Sequence, residues 1–121
     1  MLGRLRAPLA LIAMLCCLHA APASARQGPT PRGDPETWLQ PADYPPRLRA
    51  RGSSVDVALG IAPSGLTTAC RVIASSGSAA WDREICAILR RRARFHAPLD
   101  AAGRPVPSVW QHRYVRAAPT S

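Results

Sequence analysis

The chain has 121 residues and carries 16 basic side chains, all of them arginine, against 7 acidic ones, which gives a formal net charge of +9. Its length allows one domain at most. The arginines follow neither a ribonucleoprotein pattern nor a zinc-finger spacing, which argues against nucleic acid as a partner, whereas a basic exported protein is attracted to anionic envelope surfaces.

Residues 1–25 have the pattern of a secretory signal peptide. A basic start with Arg4 and Arg6 precedes a short apolar stretch, and "ASA" ending at Ala25 is a small-x-small cleavage signal. The apolar stretch is short for a membrane-spanning helix, and the alternative is an uncleaved N-terminal anchor in the inner membrane. Cleavage after Ala25 predicts an exported protein that keeps two of its four cysteines.

Residues 26–43, rich in proline and glycine, predict a flexible lead-in in which only Trp38 and Leu39 are large and apolar. Docking of these two residues on the domain is the alternative. "YPPRLRARG" follows, and a proline at its start predicts a short helix that ends at Gly52 and points Leu48 inward.

Two strands of a hairpin come next. "SVDVALGI" alternates apolar and polar residues, "APSGL" is typical of a tight turn, and "LTTACRVIAS" is the return strand with Cys70 on its inner side. "SSGS" ends this strand, and Ser78 is placed to cap a helix. That helix carries acids in its early turns and arginines at its end. Its apolar positions are Trp81, Ile85, Ile88 and Leu89, with Cys86 beside them.

A loop, "FHAPLDAAGRPVP", and a last strand, "SVWQHRYVRA", complete the domain, and residues 117–121 are expected to be a disordered tail. The sequence therefore predicts an α+β fold. A short helix is followed by the order β-β-α-β, and one long helix covers a three-stranded antiparallel sheet.

Cys70 and Cys86 are expected to form a disulfide between helix and hairpin, since an even number of cysteines in an oxidising compartment favours pairing. A redox-active pair is the first alternative, although the close Cys-x-x-Cys spacing is missing. A zinc site made from both cysteines with His96 and His112 is the second, although no two of these ligands are close in sequence.

The last strand is the candidate for binding a partner, because a terminal strand lies at the edge of its sheet. Its residues alternate, and we expect the aromatic set to face the core while Gln111 and Arg113 face solvent. The candidate binding residues are Val109, Trp110, Gln111, His112, Arg113 and Tyr114. The arginines of "RRRAR" match the helix dipole at a solvated helix end, with an anionic partner as the alternative.

No catalytic pattern is present. The sequence lacks a Gly-x-Ser-x-Gly elbow, and His96 and His112 have no evident nucleophile beside them. We expect neither enzymatic activity nor a cofactor.

Three stretches in order resemble the TonB C-terminal domain family of energy transducers: "YPPRLRARG", the hairpin through "SSGSAAWD", and "ICAILRRRARFHAPLDAAGRPVP". The resemblance covers residues 44–116, and the cysteine pair matches a subgroup. It implies a periplasmic module that pairs an edge strand with a peptide of an outer-membrane receptor. The cleavable N-terminus and the short lead-in depart from full-length transducers.

Two functions remain open at this point. One is a transport-coupling adaptor that binds receptor peptides, with an inner-membrane proton-channel complex as a further partner. The other is a structural envelope protein held to an anionic surface by its charge. A dimer is compatible with either, and fold alone does not separate them.

Overall fold

The computed structural model describes Gly3 and residues 28–119. The predicted signal segment with its cleavage residue Ala25, apart from Gly3, lies outside the described residues, as do Thr120 and Ser121 of the predicted tail. Ala117–Pro119 are exposed and belong to no helix or strand. In chain order the elements are β1 (Thr30–Pro31), the 3-10 helices η1 (Pro35–Trp38) and η2 (Pro41–Asp43), α1 (Pro46–Arg51), β2 (Ser53–Ile61), β3 (Thr67–Ala74), α2 (Ala79–Arg92), β4 (Phe95–His96) and β5 (Ser108–Arg116).

The main sheet has three antiparallel strands in the order β3-β2-β5. The alternation read from the sequence of β2 is observed, because its apolar set points to one side and is buried while Asp56 and Gly60 are only partly covered. The predicted fold class, with a short helix before β-β-α-β, is confirmed. The buried set of β2 is Val55, Val57, Leu59 and Ile61.

Helix α2 packs its apolar stripe onto this inner face of the sheet. Ser78 caps it by accepting a hydrogen bond from the Trp81 amide at 3.2 Å, as predicted. Burial opposes the ionisation of Asp82, but hydrogen bonds from Ser75 and Ser76 outweigh this effect and lower its pKa. The carboxylate thereby fixes the "SSGS" turn against the first turn of α2. The buried stripe consists of Trp81, Ile85, Ile88 and Leu89.

Residues 29–43, here called the strap, are packed against the domain, and in this the structure differs from the flexible lead-in expected from composition. Trp38 and Leu39 are buried, with 7% and 3% of their surface exposed. The two 3-10 helices each begin on a proline, and Asp34 accepts the Glu36 amide at 2.9 Å as an N-cap. Proline composition alone thus misleads here, because proline also starts helical turns.

The start of the strap is held by β1, which pairs with β4 in a small second sheet. β4 lies in the segment expected to be a loop, so that expectation is corrected for Phe95 and His96. Phe95 is fully buried, and its amide donates to the Gly65 carbonyl at 3.0 Å. Gly65 has φ +87°, and a Cβ built on it would lie 2.0 Å from the Phe95 carbonyl oxygen, so only glycine fits this close approach.

Candidate functional site

The strand β5 forms one edge of the sheet. It pairs with β2 through nine consecutive residues, from Ser53 opposite Arg116 to Ile61 opposite Ser108, with no shift in register. Within residues 28–119, no strand pairs with the other side of β5. A strand in this position presents unpaired backbone N–H and C=O groups to whatever approaches it. β5 is therefore a regular, extended edge of nine residues.

The opposite edge, β3, is less regular. Its register with β2 shifts twice, between Asp56 and Val57 and between Gly60 and Ile61. Bulges of this kind twist a strand and discourage edge-to-edge pairing. Of the two edges, β5 is the better template for an added strand.

The outer face of β5 carries the solvent-facing set that the alternation predicted. Gln111 and Arg113 are exposed, and they lie between Val109 and Val115, which are 62% and 63% exposed. Arg113 donates from two nitrogens to the directly opposite Asp56, at 2.6 and 3.0 Å, and this pairing lowers the pKa of the Asp56 carboxyl. The guanidinium charge is therefore already matched within the sheet, and the two valines are the exposed apolar groups of this face.

The inner face of β5 carries the aromatic set, as expected. Trp110 is half-buried and meets the rings of Phe95 and Trp38 edge-on, with centroids 5.1 and 5.8 Å away. His112 stacks on Trp110 at 4.8 Å, and Tyr114 is buried. These rings anchor β5 to the core, which leaves its backbone edge and its outer face for binding.

The strap covers this inner face, whereas the sequence left docking of Trp38 and Leu39 open without indicating where they would bind. The Tyr114 hydroxyl donates to the Pro35 carbonyl at 3.1 Å, and His112 Nε2 lies 2.7 Å from Glu36 Oε1. Burial raises the pKa of Tyr114 well above its ordinary value, so the hydroxyl stays a donor. The apolar pair Trp38–Leu39 was the only sequence feature that indicated docking. The residues it contacts are distant in sequence, so no local pattern could identify them.

Cys70 on β3 and Cys86 on α2 form the predicted disulfide, with their Cα atoms 5.4 Å apart. The bond joins the helix to the hairpin beside a shallow cleft whose rim includes Arg83 and Arg90. A zinc site would need both sulfurs as thiolate ligands, and the disulfide uses them, so the zinc alternative with His96 and His112 is wrong. Among the described residues, no group of three or more His, Cys, Asp and Glu side chains is arranged to hold a metal ion.

The arginines at the end of α2 have different roles: Arg92 binds the strap, whereas Arg90 and Arg91 face solvent. Arg92 donates to both carboxylate oxygens of Asp43, at 2.6 and 3.2 Å, and to the Trp38 carbonyl at 2.9 Å. The hydrogen bond from Arg92 lowers the pKa of Asp43, and the contact ties the strap to the helix end. Arg90 and Arg91 are exposed, as expected for a solvated helix end.

A disulfide-linked α+β domain whose sheet ends in a regular, unpaired strand has the features of a protein-interaction module. The family model described as "Gram-negative bacterial TonB protein C-terminal" matches residues 40–114, and the chain belongs to this family. The family is a transport-related protein-interaction domain of the bacterial envelope. A search of curated proteins returned no match. In the part of the chain that the structure describes, no helix has both the length and the apolar character to cross a bilayer.

Proposed function

We propose that the domain binds an extended segment of an outer-membrane receptor as an additional strand on β5. The observation that supports this is the contrast between the two edges, because β5 is regular over nine residues and β3 is interrupted. An extended peptide gains affinity from backbone hydrogen bonds and selectivity from its alternate side chains. The guest would meet the backbone of the candidate set and the outer side chains among them; the set is Val109, Trp110, Gln111, His112, Arg113 and Tyr114.

The affinity expected from this mode is modest. In an antiparallel pair, every second residue directs its N–H and C=O toward the neighbour, so about four residues of β5 would bond to the guest. Each hydrogen bond contributes about 0.5–1.5 kcal/mol net, against an association cost of at least about 4 kcal/mol. A transient interaction suits a domain that engages and releases receptors.

We further propose that the protein is exported to the periplasm with cleavage after Ala25. Because the strap is docked from residue 29 onward, residues 26–28 are the stretch between that cleavage site and the folded part. An extended chain covers about 3.5 Å per residue, so this stretch adds only about 10 Å. This supports a role as a binding module that is free in the periplasm or held close to a membrane, without a long spacer. Engagement of an inner-membrane proton-channel complex stays a prediction.

One observation favours the second candidate function, attachment to an anionic surface. Arg47, Arg49 and Arg51 are exposed on α1, and within residues 28–119 none of them forms an ion pair. Residues 28–119 contain 13 of the 16 arginines and all seven acidic side chains, so the folded domain keeps a formal excess of 13 − 7 = 6 positive charges. The arginines could hold the domain to phosphate-rich lipid or glycan, a mode that salt would screen.

Calorimetric titration with peptides from the periplasmic segments of outer-membrane receptors tests the proposal. N-methylation at alternate residues of a binding peptide gives two matched ligands, of which one loses the N–H groups that face β5 and the other does not. We expect the first to lose binding and the second to keep it, with little change between 0.15 and 0.5 M salt. Equal effects of the two methylation patterns would refute strand addition, and binding that vanishes in 0.5 M salt would favour the anionic-surface function.

A further inference from the structure

A cleft of about 570 Å³ is bounded by helix α1 on one side and by the turn before helix α2 on the other. Arg47 and Arg51 line it from α1, while Gly77 and Ser78 line it from the turn. Both arginines are exposed, so their guanidinium groups are accessible to a ligand that enters the cleft. Two positive charges therefore face one small space.

The geometry of α1 divides its three arginines into a pair and a single residue. An α-helix turns by about 100° per residue, so Arg47 and Arg51 lie about 40° apart around the axis, on the same side. Arg49 lies about 200° from Arg47, and it is not among the residues that line the cleft. The cleft therefore contacts two of the three charges of this helix.

Within residues 28–119, neither arginine of the pair forms an ion pair with a carboxylate. Like charges four residues apart on a helix repel each other. Arg51 lies in the last turn of α1, where the helix dipole favours a cation, but Arg47 lies in the first turn, where it does not. An anion placed between the two guanidinium groups would remove this repulsion.

The acidic side chains closest to the cleft do not fill this role. The carboxylate of Asp82 accepts hydrogen bonds from the hydroxyl groups of Ser75 and Ser76, which hold it to the other part of the turn. Glu84 lines a neighbouring groove and is not among the residues that line this cleft. The positive charge of the pair is therefore left for a ligand from outside the domain.

We propose that this cleft binds a phosphate group through the side chains of Arg47 and Arg51. The planar guanidinium group donates two parallel hydrogen bonds to phosphate oxygens, and a tetrahedral phosphate has enough oxygens for both arginines. The hydroxyl of Ser78 supplies a third donor, because its oxygen accepts from the Trp81 amide at 3.2 Å and its hydrogen can still be donated.

The frame of the cleft is rigid enough to hold the pair in place. Pro45 and Pro46, which also line it, have fixed backbone φ angles, and Leu48 is buried with 2% of its surface exposed. A Cβ built on Gly77 would have no atom within 4 Å, so the space beside the turn is open to a ligand.

The site rests on the second candidate function, attachment to an anionic surface, and gives that attachment a defined position. It does not depend on strand addition at β5, which uses a different element. The phosphate group can belong to a lipid headgroup or to a soluble phosphate compound, since both offer the same oxygens to the arginines.

Titration of the full chain with inorganic phosphate at constant ionic strength, followed by the backbone amide signals of Gly77 and Ser78, tests the site. These signals should shift and saturate. R47A and R51A should each raise the Kd by about tenfold or more, because each removes a charge-assisted pair of hydrogen bonds. R49A is the matched control, since it removes the same charge from the same helix outside the cleft, and it should change the Kd less than about twofold.

Co-sedimentation with vesicles distinguishes the two sources of the phosphate. Vesicles of phosphatidylcholine are compared with vesicles that also contain phosphatidylglycerol. Binding to the second kind that is lost in R47A and R51A, kept in R49A and displaced by inorganic phosphate supports a lipid headgroup. Saturable binding of inorganic phosphate together with equal, weak binding to both kinds of vesicle supports a soluble phosphate compound.

Two results would overturn the site. One is a titration in which the signals of Gly77 and Ser78 do not shift or do not saturate. The other is an equal loss of binding in R47A, R51A and R49A, which would indicate diffuse attraction by net charge and would leave the anionic-surface function without a defined site. The three arginines are exposed, so the variants should keep the circular dichroism spectrum of the wild type. Their affinity for a receptor peptide should also stay unchanged, whatever the outcome for phosphate.

Discussion

Removal of the disulfide between Cys70 and Cys86 should destabilise the domain strongly. The two residues are 16 positions apart, and the chain-entropy model assigns about 3 kcal/mol to the closure of a loop of this size. For a domain of about 60–100 residues, each kcal/mol shifts the melting temperature by about 4–8 °C. The melting temperature should therefore fall by roughly 12–24 °C when the bond is absent.

Circular dichroism melting of the wild type with and without reductant, and of the double variant C70A/C86A, measures this effect. The double variant should melt near the reduced wild type and should not respond to reductant. Because the disulfide joins β3 to α2, reduction should first loosen that contact, while β2–β5 pairing persists longer.

A shift of less than about 4 °C on reduction would refute this reasoning, since it corresponds to less than about 1 kcal/mol. It would mean that the packing of α2 on the sheet holds the hairpin without a covalent link. If the melting temperature of the double variant also falls with reductant, the fall seen in the wild type does not come from this disulfide.

Three further predictions follow from the packing. G65A should destabilise the protein by several kcal/mol in urea unfolding, because the new Cβ would lie 2.0 Å from the Phe95 carbonyl oxygen. The control G77A is also at positive φ but has no atom within 4 Å of the new Cβ, so it should cost only about 1–2 kcal/mol. W38A should cost about 3–5 kcal/mol by loss of buried aromatic packing, and a cost below about 1 kcal/mol would show that the strap is not docked. D43N should lower the free energy of unfolding at pH 7. The pKa of Asp43 is lower in the folded protein than its unfolded value near 4, so the ionised carboxylate stabilises the fold at pH values above about 4. This difference from wild type should disappear as the pH falls through the folded pKa, and a difference that persists at pH 2 would contradict the ion-pair explanation.

The parts of the fold that depend on local patterns could be predicted from the sequence. The alternation of β2, the cap at Ser78 and the four-three-four spacing of the α2 stripe each show in a few neighbouring residues. The disulfide between Cys70 and Cys86 was also predictable, because only two cysteines remain after the predicted signal segment and both border the inner face.

The strap could not be predicted in the same way. Its burial depends on Trp38 meeting Phe95 and Trp110, which are more than fifty residues away in the sequence. Likewise, Arg92 and Asp43 are 49 positions apart. The basic run at the end of the helix therefore could not identify Asp43 as the ion-pair partner of Arg92. Proline-rich composition predicted a mobile segment, whereas long-range packing holds it in place.

The candidate binding edge was predicted from the family resemblance together with chain order, and the structure adds a reason to prefer it over β3. Order along the chain identifies β5 as the terminal strand, but only the register reveals that β3 is interrupted twice. Side-chain exposure then separates the outer valines from the inner aromatic residues of β5.

Amide hydrogen exchange of the full chain, with and without a saturating receptor peptide in 0.5 M salt, tests the central claim most directly. Strand addition predicts new protection at alternate amides of β5, between Ser108 and Arg116, with the outer strand β3 unchanged. Protection that appears on β3 or α1 while β5 stays as it is would contradict the account.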